Sequence, residues 1–333
     1  MDRLRRALIV GINTYANSRS LKGCVADAEA ITKVLMRHSD QEPNFECRVL
    51  LDKTEDNQPI TNTVLQKACR ELFADIRDDV VLYFSGHGML TEHGGYLCAH
   101  DSGRDDWGVS MDLIMKMANS SKARDILMIL DCCHAGDFAN PGLLAAHGQD
   151  PLALLRENMT VMAASLSSQS ALELHGHGLF TMAIIDALSG GAADMMGWVT
   201  APSIYAYVER RFGAFDQRPV YKSYATGVRV VRKCPPMIDR QKLRQLMDFF
   251  ETENYRYQLD PECEPEDENG NVKEPINEKK IAIAKLFKEY RDAGLLKPTI
   301  AGEQLYWTAR YSHTVELTWG GREYWWLAKN NRL

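Results

Sequence analysis

Over roughly its first 230 residues the chain alternates short apolar runs with stretches of helical spacing, and this alternation restricts the fold more than any other feature. The runs 6–12, 45–51, 79–84, 124–130, 159–164 and 227–231 are rich in Val, Ile and Leu and read as strands. Between them, 25–38, 61–76, 110–119 and 179–188 repeat apolar residues every three or four positions, and a further helix is expected at 203–212 behind Pro202. Such alternation predicts an α/β layered sheet. Strands that are apolar almost throughout predict a mostly parallel sheet with helices on both faces. Thr61 and Ser110 stand where helix N-caps are needed.

The pattern changes at Lys233-Cys234-Pro235-Pro236, where two prolines interrupt regular structure. Two domains are therefore expected, at 1–234 and 235–333. The second is read as a helix at 238–255, an acidic loop at 260–275, a helix at 276–293 stopped by Gly294, and strand-like runs at 304–309 and 314–317. That order resembles a small α+β winged-helix module. Residues 236–333 carry 15 Lys and Arg against 17 Asp and Glu, a net of −2, and the whole chain carries −6. A nucleic-acid reader carries a basic footprint, so no nucleic-acid partner is expected. Trp307, Trp319, Trp325 and Trp326 crowd the end of the chain. Such residues are usually core, and any exposed subset would favour a protein-docking or autoinhibitory role.

No apolar run is long enough to span a bilayer, and the run after Arg5-Arg6 ends at Gly11-Ile12-Asn13 without a cleavage site. Eight cysteines show neither disulfide nor metal spacing. Reduced thiols, a cytoplasmic location, no membrane partner and a monomer are the expectations.

Two strand ends carry reactive residues. The run 79–84 leads into Ser85-Gly86-His87-Gly88, and 124–130 leads into Asp131-Cys132-Cys133-His134-Ala135-Gly136. In open α/β sheets, sites form at the carboxyl ends of strands. An imidazole near a thiol favours the thiolate and later protonates a leaving amine. The N–H groups of Gly88 and Cys133 are candidates for stabilising an oxyanion. A cysteine at a strand end is more often an inert buried thiol, and a histidine among glycines is more often a loop residue. Their joint appearance favours a cysteine–histidine dyad built from these two strand ends.

Ser-Gly-His-Gly followed 46 residues after its His by Asp-x-Cys-His-Ala-Gly resembles the caspase-like peptidases, most closely metacaspases and their bacterial relatives. Gly176-His177-Gly178-Leu179-Phe180-Thr181 extends the likeness, which spans about residues 5–232. The resemblance implies a caspase-like three-layer sandwich, with 1–140 similar to a large subunit and 158–234 to a small one. It implies a cysteine endopeptidase and makes Cys133, directly before His134, the nucleophile. Cys132 and His134 then read as packing and support, and His175 and His177 as loop residues rather than ligands.

Metacaspases are similar in carrying Gly-Cys-x-x-Asp, matched here by Gly23-Cys24-Val25-Ala26-Asp27. The resemblance implies that Asp27 and Asp131, with Cys24 and Ser85 beside them, line the pocket for the residue before the scissile bond. Two carboxylates select a cation, Arg before Lys because Arg binds bidentately. An ordinary helix N-terminal role is the competing reading for Asp27. The acidic calcium pattern of many metacaspases is not matched, since Gly94-Gly95, a single Asp112 and Asn140 stand in the corresponding stretches. Asp101, Asp105 and Asp106 are the remaining candidates, with a solvated loop the simpler reading. No metal or cofactor is expected.

The segment 138–158 joins the two halves and contains one basic residue, Arg156, a candidate processing site for a zymogen. Protein or peptide substrates are expected, with a protein partner or activating protease acting at this loop or at the C-terminal domain. The resemblance also suggests a part in bacterial defence or cell death. The competing class is a non-catalytic adaptor that keeps the fold and binds a partner through its C-terminal domain.

Overall fold

The structure is a computed structural model that describes residues 5–52, 59–74, 78–132, 155–164, 173–174, 177–212, 219–266, 272 and 275–333. It divides into two compact units, up to Pro235 and from Pro236 onward. The first unit begins β1 (Arg6–Gly11), α1 (Cys24–Met36), β2 (Glu46–Leu51), α2 (Asn62–Phe73) and β3 (Asp79–Ser85). Three short strands follow, β4 (Gly88–Thr91), β5 (Gly94–Leu97) and β6 (Val109–Ser110), then α3 (Met111–Ser120), β7 (Asp125–Asp131) and β8 (Met159–Ala163). After β9 (Glu173–Leu174) and β10 (His177–Gly178) come α4 (Leu179–Asp186), β11 (Trp198–Thr200), α5 (Ala201–Phe212), β12 (Val220–Tyr224) and β13 (Val230–Lys233).

The main sheet has the order β12-β8-β7-β3-β1-β2. All neighbours are parallel except β12, which runs antiparallel to β8. Side chains alternate across it with the period of two that a pleated strand imposes. Leu8, Val10, Leu82 and Met128 pack with Leu65 of α2 and Ile114 of α3. Ala7, Ile9, Val81 and Leu127 pack on the other face with Ile31 of α1, Ile184 of α4 and Ile204 of α5. This is the three-layer arrangement anticipated from the continuous apolar strands. The hydroxyls of Thr61 and Ser110 accept from the N–H groups of Val64 and Leu113, capping α2 and α3. Where β1 ends, a Cβ on Gly11 would lie 2.4 Å from the Cys24 carbonyl oxygen, so glycine lets the start of α1 pack tightly there.

Two strand assignments differ from the sequence reading. The run 227–231 is strand only from Val230 and pairs with β11 outside the main sheet. The sixth position belongs instead to β12, whose alternating Val220-Tyr221-Lys222-Ser223-Tyr224 lacks the apolar density of the buried strands. An edge strand needs less of it, because neighbours flank it on one side only.

In the second unit, α6 (Arg240–Arg244) and α7 (Leu246–Phe249) replace the single helix expected at 238–255. The helical run stops where Phe250, fully buried, takes an extended backbone. After β14 (Arg256–Gln258) come α8 (Glu278–Asp292), β15 (Leu296–Pro298), α9 (Leu305–Arg310), β16 (Thr314–Leu317) and α10 (Trp319–Lys329). Gly294, at φ +73°, ends the α8 segment as expected. The strand expected at 304–309 is helix: Leu305, Thr308 and Ala309 are its buried residues, at the i, i+3, i+4 spacing of one helical face. The consecutive strand hairpin on which the winged-helix resemblance rested is therefore not formed. The sheet order is β14-β16-β15, antiparallel throughout. Trp325 is buried and donates its indole N–H to the Phe250 carbonyl at 2.6 Å. Trp307, Trp319 and Trp326 are exposed. Among the described residues no helix is long and apolar enough to cross a membrane.

Candidate active site

Three adjacent strands of the first unit deliver the site. Parallel pairing brings Gly11, Ser85 and Asp131 into one row at the carboxyl ends of β1, β3 and β7. The chain segments that leave these ends therefore begin side by side. Gly86 N–H donates to the Asp131 carbonyl at 3.3 Å, tying two of them together.

His87 is fixed from three sides. Its backbone N–H donates to Tyr15 Oη at 2.7 Å, and its carbonyl accepts from Cys98 N–H at 3.0 Å. The imidazole lies against the Tyr15 ring, with centroids 4.6 Å apart. Its Nε2 is 2.7 Å from the Arg19 carbonyl oxygen. A carbonyl only accepts, so Nε2 carries a proton, and Nδ1 is the nitrogen whose lone pair serves as a base in the neutral ring. Burial pushes the Tyr15 phenol far above its ordinary range, which keeps it a neutral donor to the Ile12 carbonyl at 3.2 Å. A Cβ on Gly86 would sit 2.6 Å from Tyr15 Oη, so glycine beside the histidine is what admits this support.

A cavity of about 460 Å³ opens next to His87 and is lined by Cys24, Asp27, Ser85, Asp131 and Gly178. Asp27, in the first turn of α1, and Asp131, the last residue of β7, are both buried. They converge on Gly178, whose N–H donates to Asp27 Oδ2 at 3.1 Å. A Cβ there would stand 2.6 Å from Asp131 Oδ2 and 3.3 Å from Asp27 Oδ2. Thr181 Oγ1 donates to Asp131 Oδ2 at 2.6 Å and lies 2.6 Å from Tyr83 Oη. Burial, with Asp27 adding to it, raises the Asp131 carboxyl to about 6 against the opposing effect of the Thr181 hydrogen bonds. The same surroundings, burial foremost, hold the Tyr83 phenol well above its usual value.

The cavity thus holds His87, Cys24, Asp27, Ser85 and Asp131, the sequence-derived histidine and pocket residues. Gly88 opens β4 beside it. Cys133, His134, Asn140 and His175, and the side chain of His177, lie outside the described residues. Cys132 is 5% exposed, belongs to the core cluster and also lines the cavity. Arg156 stands apart, its Nη1 donating to the Ser121 carbonyl at 2.6 Å and its Nε to that of Glu157 at 3.2 Å. Asp101 accepts from the N–H of Asn62 at the start of α2, and Asp106 from that of Gly108. Among the described residues no group of three or more His, Cys, Asp or Glu is arranged to hold a metal ion.

Sequence reasoning missed Tyr15 and the Arg19 carbonyl, and it held Gly178 only as part of a motif. Thr181 was visible only as part of a motif. A larger cavity, about 520 Å³, lies in the second unit between apolar Leu259, Ile281, Phe287 and Leu305. Its lining also includes Cys263, Glu264, Lys285, Lys288 and Arg291.

A family model described as "Caspase domain" matches residues 4–230. Metacaspase-4 of Arabidopsis thaliana is 30% identical over 147 residues, covering 40% of this chain and 34% of that protein. Metacaspase-3 of the same plant is 38% identical over 90 residues, covering 25% and 24%. Metacaspase-1B of Neurospora crassa is 27% identical over 210 residues, covering 56% and 47%. The chain thus spans about a quarter to a half of the length of these relatives. The crystal structure of caspase-1 from Spodoptera frugiperda aligns at a TM-score of 0.48 and 15% identity, over 70% of this chain and 91% of that one. With a match running through both motif-bearing strands and on to residue 230, the chain belongs to the caspase-domain family.

Proposed function

We propose that this protein is a cysteine endopeptidase that cleaves after Arg, and less readily after Lys, with Cys133 as nucleophile and His87 as acid and base. The observation that carries the reading is one cavity shared by an imidazole held through Nε2 and two buried carboxylates. Cys133 follows directly on the cavity-lining Cys132 in the chain. Its thiol gives a proton to His87 Nδ1, and the sulfur bonds to the scissile carbonyl carbon. The N–H groups of Gly88 and Cys133 stabilise the oxyanion. As the C–N bond breaks, the imidazolium returns the proton to the leaving amine, and water then hydrolyses the thioester by the same route in reverse. Asp27 and Asp131 receive the cationic side chain before the cleaved bond, and their charge repels an acidic one.

A peptide-library digest by the wild type beside Cys133→Ala tests this. Cleavage after Arg that vanishes in the variant supports it, and faster turnover after Asp overturns the specificity. The adaptor reading draws on the exposed Trp319 and Trp326, which lie against Arg322 and Arg332 in the second unit. Binding of a partner that Cys133→Ala also binds, with no cleavage by the wild type, would favour it. Release at Arg156 requires its guanidinium to leave two carbonyls first, so a processing role there is joined to local opening.

A further inference from the structure

The acidic pocket has an inner support. Thr181, with no exposed surface, is the third residue of α4. Its single hydroxyl proton goes to Asp131 Oδ2, so the short contact with Tyr83 Oη must be a bond that Thr181 accepts. Three residues earlier, Gly178 spends its N–H on Asp27 Oδ2. One turn of chain, 178–181, therefore grips both carboxylates, each through the oxygen that faces Gly178. A lysine ammonium is a compact charge that tolerates some displacement of its partners. An arginine guanidinium is a rigid planar fork and demands acceptors at set positions.

We propose that Thr181 is a specificity-determining residue, its hydroxyl, backed by Tyr83, holding Asp131 at the distance from Asp27 that favours an arginine fork over a lysine ammonium. This rests on the reading of the cavity as the pocket for a basic side chain. Thr181 touches neither His87 nor its supports among the described residues, so its effect belongs to KM and to the Arg-to-Lys preference, with kcat little changed.

The test compares paired peptides ending in Arg or Lys on the full-length protein. Thr181→Val, which keeps the branched shape and loses the hydroxyl, should raise KM for the Arg peptide about tenfold, the usual scale for a hydrogen bond to a charged group. The Lys peptide should lose less, so the Arg-to-Lys ratio of kcat/KM falls. Thr181→Ser should restore the ratio, and Tyr83→Phe should lower it by a smaller factor. A Thr181→Val protein with the wild-type ratio overturns the inference. So does a Tyr83→Phe protein with an unchanged ratio, which remains readable even when the valine variant fails to fold. A wild type that cleaves after neither Arg nor Lys overturns the pocket itself, a separate result seen before any variant is made.

Discussion

The two ends of the main sheet use the same residue types to opposite purposes. At the amino ends of the strands, Asp79 is clasped by Arg5 at 3.3 Å and Arg124 at 2.6 Å. At the carboxyl ends, Asp131 meets the Thr181 hydroxyl and a second carboxylate, and no Lys or Arg pairs with it among the described residues. A buried carboxylate with its cations is a structural joint, whereas one that faces a cavity without them suits the proposed role of receiving a cation from outside. A raised carboxyl does not by itself mark a site. Asp125, next to Asp79 in register, also reaches about 6 through burial and the charge of Asp79, yet it lines no described cavity. Cavity and convergence make the difference.

The largest expected effect is on chemistry. His87→Ala should lower kcat by about 10²–10⁴-fold with substrate affinity largely kept, measured by steady-state kinetics on an Arg peptide. Cys133→Ala should leave no turnover at all.

The second prediction sets the two ends against each other. Asp131→Asn should raise KM for Arg peptides about a hundredfold, while Asp79→Asn leaves KM unchanged. Stability should respond in reverse. Asp79→Asn strands the half-buried Arg5 and should cost about 3 kcal/mol in denaturant unfolding. Asp131→Asn removes a buried anion and should stabilise at neutral pH by up to about 3 kcal/mol, because burial raises that carboxyl to about 6. Matching stability losses at both ends would erase the distinction.

pH gives a third handle. A carboxyl raised to about 6 in the folded protein takes up a proton on folding between its unfolded value, near 4, and 6. Its stabilising contribution is present below the lower value and lost as pH rises through 6. Substrate binding runs the other way, because a cation needs the ionised form. KM for Arg peptides should therefore climb about tenfold per unit below pH 6, a trend absent in Asp131→Asn. The smallest effect is expected from Tyr15→Phe, which takes one acceptor from the His87 N–H and should lower kcat several-fold without moving KM.

Much of this was legible in the sequence, and for local reasons. Period-two and period-3.6 patterns report on single elements, so β1, β3, β7 and the helices of the first unit were foreseeable within a few residues. The Ser-Gly-His-Gly and Asp-Cys-Cys-His segments could be assigned to strand ends because each motif is contiguous with its apolar run. The same local reasoning failed where packing overrode pattern, at the edge strand Val220–Tyr224 and at Leu305–Arg310.

What the sequence determined by itself is the kind of sheet, the reactive residue types and the strand ends that carry them. How they meet depends on contacts that form across the fold. Thr181 reaches Asp131 across 50 positions, and Gly178 reaches Asp27 across 151. The Arg19 carbonyl that sets the proton on His87 Nε2 belongs to a backbone group that any residue would supply. Hydrogen bonds of that range, and those made by the main chain, leave no periodicity in a sequence. They exist only once the sheet has brought its strand ends into one row.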